Sequence, residues 1–326
     1  MQMTTLGPFS GISRLTLGGG GIGQGWGETS REEALATITA ALDAEITLID
    51  TAPLYLNCEA MIAEAFNGAL PSGVRITSKC RLGTAPVGQA ASRLEASLDA
   101  SLAAMKLEHV DIFFLHTNIC EDDYVYPRGQ DRRHRFATTW SSYADEVAPA
   151  MAKLKAQGRI GAWGITGIGV PGTVLKAINH APKPDTIQVI ANLMDSAGAI
   201  RGYGEPAQPR AIAAAAVAAG IGVMGVRAVQ AGALTKGMDR DLPADNGDLR
   251  DFHKAATYRA LCDKHGVDPA LLAHRYALHM AGIDTLVLGV KNCAELHQCL
   301  EAERLGPLPP ALLQAIDSLG LTETPI

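Results

Sequence analysis

Apolar residues along this chain fall into short dense runs separated by longer stretches with helical spacing. The runs lie near 14–18, 46–50, 74–79, 110–116, 161–166, 186–191, 221–226 and 284–289, and their length and β-branched content predict eight strands. Helical patterns predict helices over 31–45, 90–105, 143–156, 209–219 and 269–280. Ser30 followed by Glu33 reads as a capping box opening the 31–45 helix, each residue satisfying a free amide of the other. Strands that alternate with helices predict a parallel α/β fold, closed or doubly wound, and the count of eight favours a (β/α)8 barrel. Three stretches break the alternation: 117–142, 234–251 and the segment after the last strand. With no internal repeat or low-complexity tract, residues 1–326 are expected to form a single barrel domain in which long loops near 117–142 and 234–251 shape access.

Several strand runs end in ionisable residues. The run at 46–49 meets Asp50-Thr51-Ala52-Pro53-Leu54-Tyr55, the run at 74–78 meets Lys79, and the run at 110–115 meets His116. In a parallel barrel those ends converge on one mouth, where such enzymes keep their chemistry. Taken singly, each residue has an ordinary reading: a cap, a solvated amine, a rim histidine, a packing phenol. Together they suit proton donation. A phenol ordinarily titrates near 10, an adjacent ammonium would pull that value down, and a carboxylate would keep the amine charged. The imidazole could orient a carbonyl oxygen or share the proton.

Composition narrows the partners. The 326 residues are 47% apolar with a formal net charge of −6, and the one basic cluster, Arg132-Arg133-His134-Arg135, is too short for an extended phosphate-binding face. It reads as a solvated loop, so no nucleic-acid partner is expected. Six scattered cysteines without CxxC spacing read as reduced thiols, not as a metal site or a disulfide frame. The N-terminus lacks a secretory pattern and no apolar run approaches a membrane span, so a soluble, cytoplasmic protein is expected.

Gly18-Gly19-Gly20-Gly21-Ile22-Gly23 satisfies G-x-G-x-x-G after a strand. The predicted helix, however, opens seven residues beyond the last of those glycines, which breaks the dinucleotide-fold context. The segment reads as a flexible loop lying against whatever fills the mouth.

The Asp50-Thr51-Ala52-x-x-Tyr55 segment, the strand-end Lys79 and Leu115-His116 together resemble the aldo-keto reductase family. The likeness extends to residues 14–18, 158–167, 220–223 and 288–292, nearly the whole chain. The resemblance implies a (β/α)8 barrel, a nicotinamide cofactor held without a Rossmann fold, and Tyr55 as general acid supported by Lys79, Asp50 and His116. It also implies cofactor contacts from Gly19, Gly20, Asp50, Thr166, Gln188, Val226, Arg227, Ala228, Lys291, Asn292 and Glu295. Departures from the family pattern concern the cofactor. Gly167 replaces an asparagine, for which Asn192 is a candidate substitute; Val226 removes an aromatic stacking face; after Tyr55 only Glu59 of the usual segment is kept. Lys291 and Asn292 stand where the family meets a 2′-phosphate, favouring NADP(H) over NAD(H), although the charge of Glu295 opposes it.

Trp26, Leu54 and Trp140, in loops after the first, second and fourth strands, join Tyr55 and His116 as candidate substrate contacts; Trp140 has an equally good reading as a loop anchor. The expected activity is NADPH-dependent reduction of an aldehyde or ketone to an alcohol. The alternatives are an NAD-dependent dehydrogenase of a sugar or cyclic alcohol, or a non-catalytic nucleotide-binding regulatory barrel. Substrate identity and oligomeric state lie beyond the sequence.

Overall fold

A computed structural model describes residues 1–25, 27–127 and 129–322. The chain opens with an antiparallel hairpin, β1 (Met3–Leu6) and β2 (Phe9–Ser13). The barrel strands follow: β3 (Leu15–Gly18), β4 (Leu48–Asp50), β5 (Arg75–Cys80), β6 (Val110–Leu115), β9 (Ile160–Thr166), β10 (Thr186–Ile190), β11 (Gly222–Val226) and β12 (Thr285–Leu288). They close in the order β10-β11-β12-β3-β4-β5-β6-β9, every neighbouring pair parallel. This is the expected (β/α)8 barrel, and closure removes the doubly wound alternative. All eight apolar runs become barrel strands, because strands covered on both faces must be apolar almost throughout.

Two features have no counterpart in the eight-run pattern. The hairpin brings Leu6 and Ile12 against Leu48, Ile112, Phe114, Ala162 and Met224, side chains of the barrel interior. The stretch 117–142 contains structure of its own: β7 (Asn118–Cys120) pairs in parallel with β8 (Ala137–Thr139) around a helix over Gln130–Phe136. Its strands are only three residues long, too short to register as periodic runs.

The glycine segment is a correction. Gly19–Ile22 is one buried helical turn, α1, not a flexible loop. A Cβ on Gly21 would strike the Val290 carbonyl, one on Gly23 the Tyr55 carbonyl, and one on Gly19 the Cys58 sulfur. The glycines are there because backbone passes against backbone. The helix α2 (Arg31–Asp43) begins at Ser30 as predicted, and Ser30 accepts from the Glu33 amide at 3.0 Å. The reciprocal half of the box is absent: the Glu33 carboxylate takes the Cys293 amide at 2.9 Å instead, tying α2 to the last strand's exit. Two further outer helices border the mouth, α3 (Cys58–Phe66) and α4 (Ala90–Met105). The segment predicted as a helix over 143–156 starts as a π-turn over Tyr143–Val147 before becoming α-helical. Among the described residues, no helix is long and apolar enough to cross a membrane.

Candidate active site

Asp50 closes β4, Lys79 lies next to last in β5, and His116 follows the last residue of β6, so three adjacent strands deliver them to the same end of the barrel. Tyr55 arrives from the turn between β4 and α3, where its amide bonds the Ala52 carbonyl at 2.9 Å. All four candidates meet. The fully buried Lys79 ammonium donates to Asp50 Oδ2 at 2.7 Å, to the Thr51 carbonyl at 2.8 Å and to the Tyr55 hydroxyl oxygen at 3.2 Å. An ammonium has three protons, and here each has an acceptor. The Tyr55 oxygen is thus an acceptor toward the lysine and keeps its own proton to give elsewhere. The His116 ring stands edge-on to Tyr55, centroids 5.8 Å apart at 86°.

Asp50 is anchored from across the bore. Its Oδ1 accepts from Thr77 Oγ1 at 2.8 Å and from Gln188 Nε2 at 2.7 Å. Thr77 was missed from sequence, yet it stands two residues before Lys79 on the same strand face, a period-two signal. The link from Gln188 to Asp50 spans 138 positions and leaves no local trace.

Electrostatics divide the labour. Burial raises the Tyr55 pKa more than the Lys79 charge lowers it, with Asp50 adding to the rise, and the net shift is upward. This corrects the expectation of a depressed phenol: the lysine effect exists, but removal from water outweighs it. Burial alone would lower the Lys79 value; Asp50 and Tyr55 carry it above the ordinary lysine range. The His116 imidazole is pushed down to about 3 by burial, then by the charges of Lys79 and Arg81. It is therefore neutral near pH 7, which removes it as a proton source and leaves an N–H as the donor it can offer.

Most candidate cofactor residues lie on the arc formed by the exits of β9 to β12, while Gly19 and Gly20 follow β3 and Asp50 ends β4. Thr166 ends β9 beside Gln188, and its Oγ1 is buried without a hydrogen-bond partner. An unmet buried hydroxyl costs about 1–3 kcal/mol, which a carboxamide laid against it would relieve. The nicotinamide group therefore fits this arc. Val226 is half-buried in an apolar cluster with Ile190 and Ile168. Arg227 adopts φ 64° and pairs with Asp248, while its Nε donates to Gln230 Oε1 at 2.9 Å; Ala228 is buried beside it. Gly19 and Gly20 lie in the buried α1 turn. Asn292 caps the helix Cys293–Leu305, accepting from the Glu295 amide at 2.9 Å. Lys291 is flanked by carboxylates: Nζ pairs with Asp239 and lies 3.5 Å from Glu295, whose other oxygen takes the Lys291 amide at 2.8 Å. Asp239, from the 234–251 loop, had no spacing signal to reveal it. Asn192 does not substitute for the missing asparagine, since its amide is spent on Ser196, Arg227 and Gln230.

Of the proposed substrate contacts, Leu54 is 46% exposed and lines a cavity of about 370 Å³ with Pro53, Lys79, Arg81, Arg93 and His116 among others. Trp26 lies outside the described residues. Trp140 packs against Tyr143 and His180, with the Lys176 ammonium 3.9 Å from its ring centre. Tyr143 and Lys176 lie on helices and His180 just past the end of one, so these contacts are those of a loop anchor, and Trp140 does not line the cavity beside Lys79 and His116.

A closed barrel with a phenol, ammonium, carboxylate and imidazole at its mouth defines a class of oxidoreductase, and comparison with known proteins agrees. The Aldo/keto reductase family model matches residues 14–320, and the chain belongs to that family. It is 23% identical to the L-galactose dehydrogenase of Arabidopsis thaliana over 296 residues, 89% of this chain and 84% of that protein. It is 28% identical to the methylglyoxal reductase YeaE of Escherichia coli over 165 residues, 49% of this chain and 48% of the relative. In fold it is similar to a glycerol dehydrogenase from Gluconobacter oxydans, with a TM-score of 0.68 and 20% identity over 97% of this chain and 94% of the other. An aldo-keto reductase from Bacillus halodurans in its holo form has the same TM-score at 19% identity, covering 98% and 96% of the two chains.

Proposed function

We propose that the protein reduces an aldehyde or ketone to an alcohol with a nicotinamide dinucleotide, Tyr55 acting as general acid. One observation carries this reading: the fully buried Lys79 ammonium holds the Tyr55 oxygen at 3.2 Å and the Asp50 carboxylate at 2.7 Å. The bound cofactor supplies a hydride to the carbonyl carbon. Tyr55 donates its proton to the carbonyl oxygen, completing the alcohol, and Lys79 stabilises the phenolate left behind. Neutral His116 donates a hydrogen bond that aims the same oxygen at Tyr55. Asp50 keeps Lys79 charged, and its bonds to Thr77 and Gln188 keep it from turning away. Thr166 and Gln188 would hold the carboxamide, Val226 would supply apolar surface for the nicotinamide, and Gly19, Gly20, Arg227 and Ala228 would bind the rest of the dinucleotide. Six free thiols suit a reducing, cytoplasmic setting.

Lys291 supports NADP(H) by charge pairing with a 2′-phosphate. A second reading, NAD(H), is favoured by the two carboxylates already on that ammonium, Asp239 and Glu295. Initial rates of NADPH and NADH oxidation over a panel of carbonyl compounds test both levels of the proposal. Turnover that disappears in Tyr55→Phe while cofactor still binds supports the acid; wild-type turnover in that variant removes it. The ratio of kcat/KM for the two cofactors then chooses between them. Silence across the panel would favour the non-catalytic binding barrel.

A further inference from the structure

Arg81 stands two residues beyond Lys79. Strand geometry carries it about 6–7 Å further along, out of the barrel and into the mouth. Its guanidinium carbon lies 5.7 Å from the centre of the Phe136 ring, with Arg132 at 6.0 Å and Arg135 at 5.3 Å around the same ring. Three positive charges thus gather on one aromatic. A fourth, Arg93, joins Arg81, Lys79 and His116 in the wall of the cavity of about 370 Å³. Among the described residues none of these four arginines forms an ion pair, and the nearest acid in sequence, Asp131, is exposed.

The cluster is held in position. Thr84 bonds the His134 carbonyl through its amide at 2.9 Å and the Ala137 carbonyl through its hydroxyl at 2.8 Å, while Thr138 donates to the Gly83 carbonyl at 3.1 Å. The loop after β5 is therefore stitched to the Gln130–Phe136 helix and to β8. Like charges repel, and a chain of net charge −6 has ample acid to neutralise them elsewhere on its surface. Lys79 is spent on Asp50, so it cannot serve as the cation for a ligand, whereas the arginines can. Most of the cofactor's candidate residues occupy the β9–β12 exits, with Gly19 and Gly20 after β3, whereas Arg81 and Arg93 share a cavity wall with Lys79 and His116.

We infer that the carbonyl substrate is an anion, a short aldehyde or ketone bearing a carboxylate or phosphate, whose charged group is received by Arg81 and Arg93, with Arg132 and Arg135 adding positive charge around Phe136, while its carbonyl meets Tyr55 and His116. The inference rests on the reading of Tyr55 as acid. Guanidinium groups suit both anions, since each presents paired oxygens to a planar fork. Arg81 is exposed, so the attraction should weaken as salt rises.

Two comparisons test it. The first is kcat/KM for 4-oxobutanoate against its methyl ester, and for glyceraldehyde 3-phosphate against glyceraldehyde, in the wild type and in Arg81→Gln. The expectation is an anionic preference of about tenfold or more in one pair, the value of a charge-assisted bond, reduced about tenfold by the substitution. The preferred pair identifies the anion. Arg159→Gln, at an arginine paired with Asp99, should leave the preference unchanged. The second comparison is calorimetric titration of succinate and of inorganic phosphate into both proteins, which needs no turnover. Binding in the wild type that falls at least tenfold in Arg81→Gln supports the anion site even if no carbonyl is reduced, in which case the catalytic reading fails alone. Equal rates within both pairs, or no wild-type binding of either anion, would overturn the inference while leaving Tyr55 untouched.

Discussion

Tyr55 keeps its proton because removal from water outweighs the ammonium beside it. The sign of the pH dependence follows. With Tyr55 as the proposed acid, reduction needs the protonated phenol, whose pKa is raised above the usual value near 10, so kcat for reduction should be level through neutrality and fall only in the alkaline range. Alcohol oxidation needs the phenolate and should rise with pH over the same interval. His116, pushed down to about 3, adds no limb near 6.5. A kcat profile for reduction that bends between pH 6 and 7 would contradict this division of roles, because it would require an imidazole that titrates normally. Asp50→Asn should act twice. It leaves Lys79 buried without its counter-ion, a loss of about 3–5 kcal/mol in denaturant unfolding, and it should lower kcat as the amine ceases to be held.

At the scale of elements, the hairpin β1–β2 and the α1 turn show how much of the barrel depends on backbone fit. Ile12 is fully buried against the barrel interior, so Ile12→Ala should cost about 2–5 kcal/mol by denaturant titration while kcat/KM of the surviving folded fraction is kept. Gly21→Ala should lower Tm, since its Cβ meets the Val290 carbonyl and neither backbone can yield cheaply. The eight barrel strands were legible because strands buried on both faces must be apolar, and the tetrad because Asp50, Lys79 and His116 sit at the ends of three such runs. The hairpin was not, since its strands are only four and five residues long and bury just Leu6, Ile12 and Ser13. The glycine segment misled for a related reason: glycine signals freedom in a sequence, whereas these glycines answer a lack of space. Glu33 misled in another way. Its spacing from Ser30 was right for a capping box, but the Cys293 amide, 260 residues distant, took the carboxylate.

On the scale of the whole molecule, the mouth is electrically two-sided. Asp239 from the 234–251 loop and Glu295 from the helix Cys293–Leu305 gather on Lys291, while Arg81 and Arg93, without an ion pair among the described residues, border the cavity beside β5. If Asp239 sets the cofactor choice, Asp239→Asn should shift the ratio of NADPH to NADH kcat/KM upward, and Lys291→Ala should shift it downward. Steady-state kinetics on both variants measure this directly, and movement in the same direction would remove Asp239 from the account. The three hydrogen bonds of Lys79 have one last consequence. With the amine fully buried and two of its protons held by the Asp50 carboxylate and the Thr51 carbonyl, the proposed phenolate would meet, among the described residues, no proton source behind it other than Lys79 itself. On that proposal recharging comes through the doorway the substrate itself uses, so a lingering alcohol product would delay the enzyme's return to readiness as well as block its next guest.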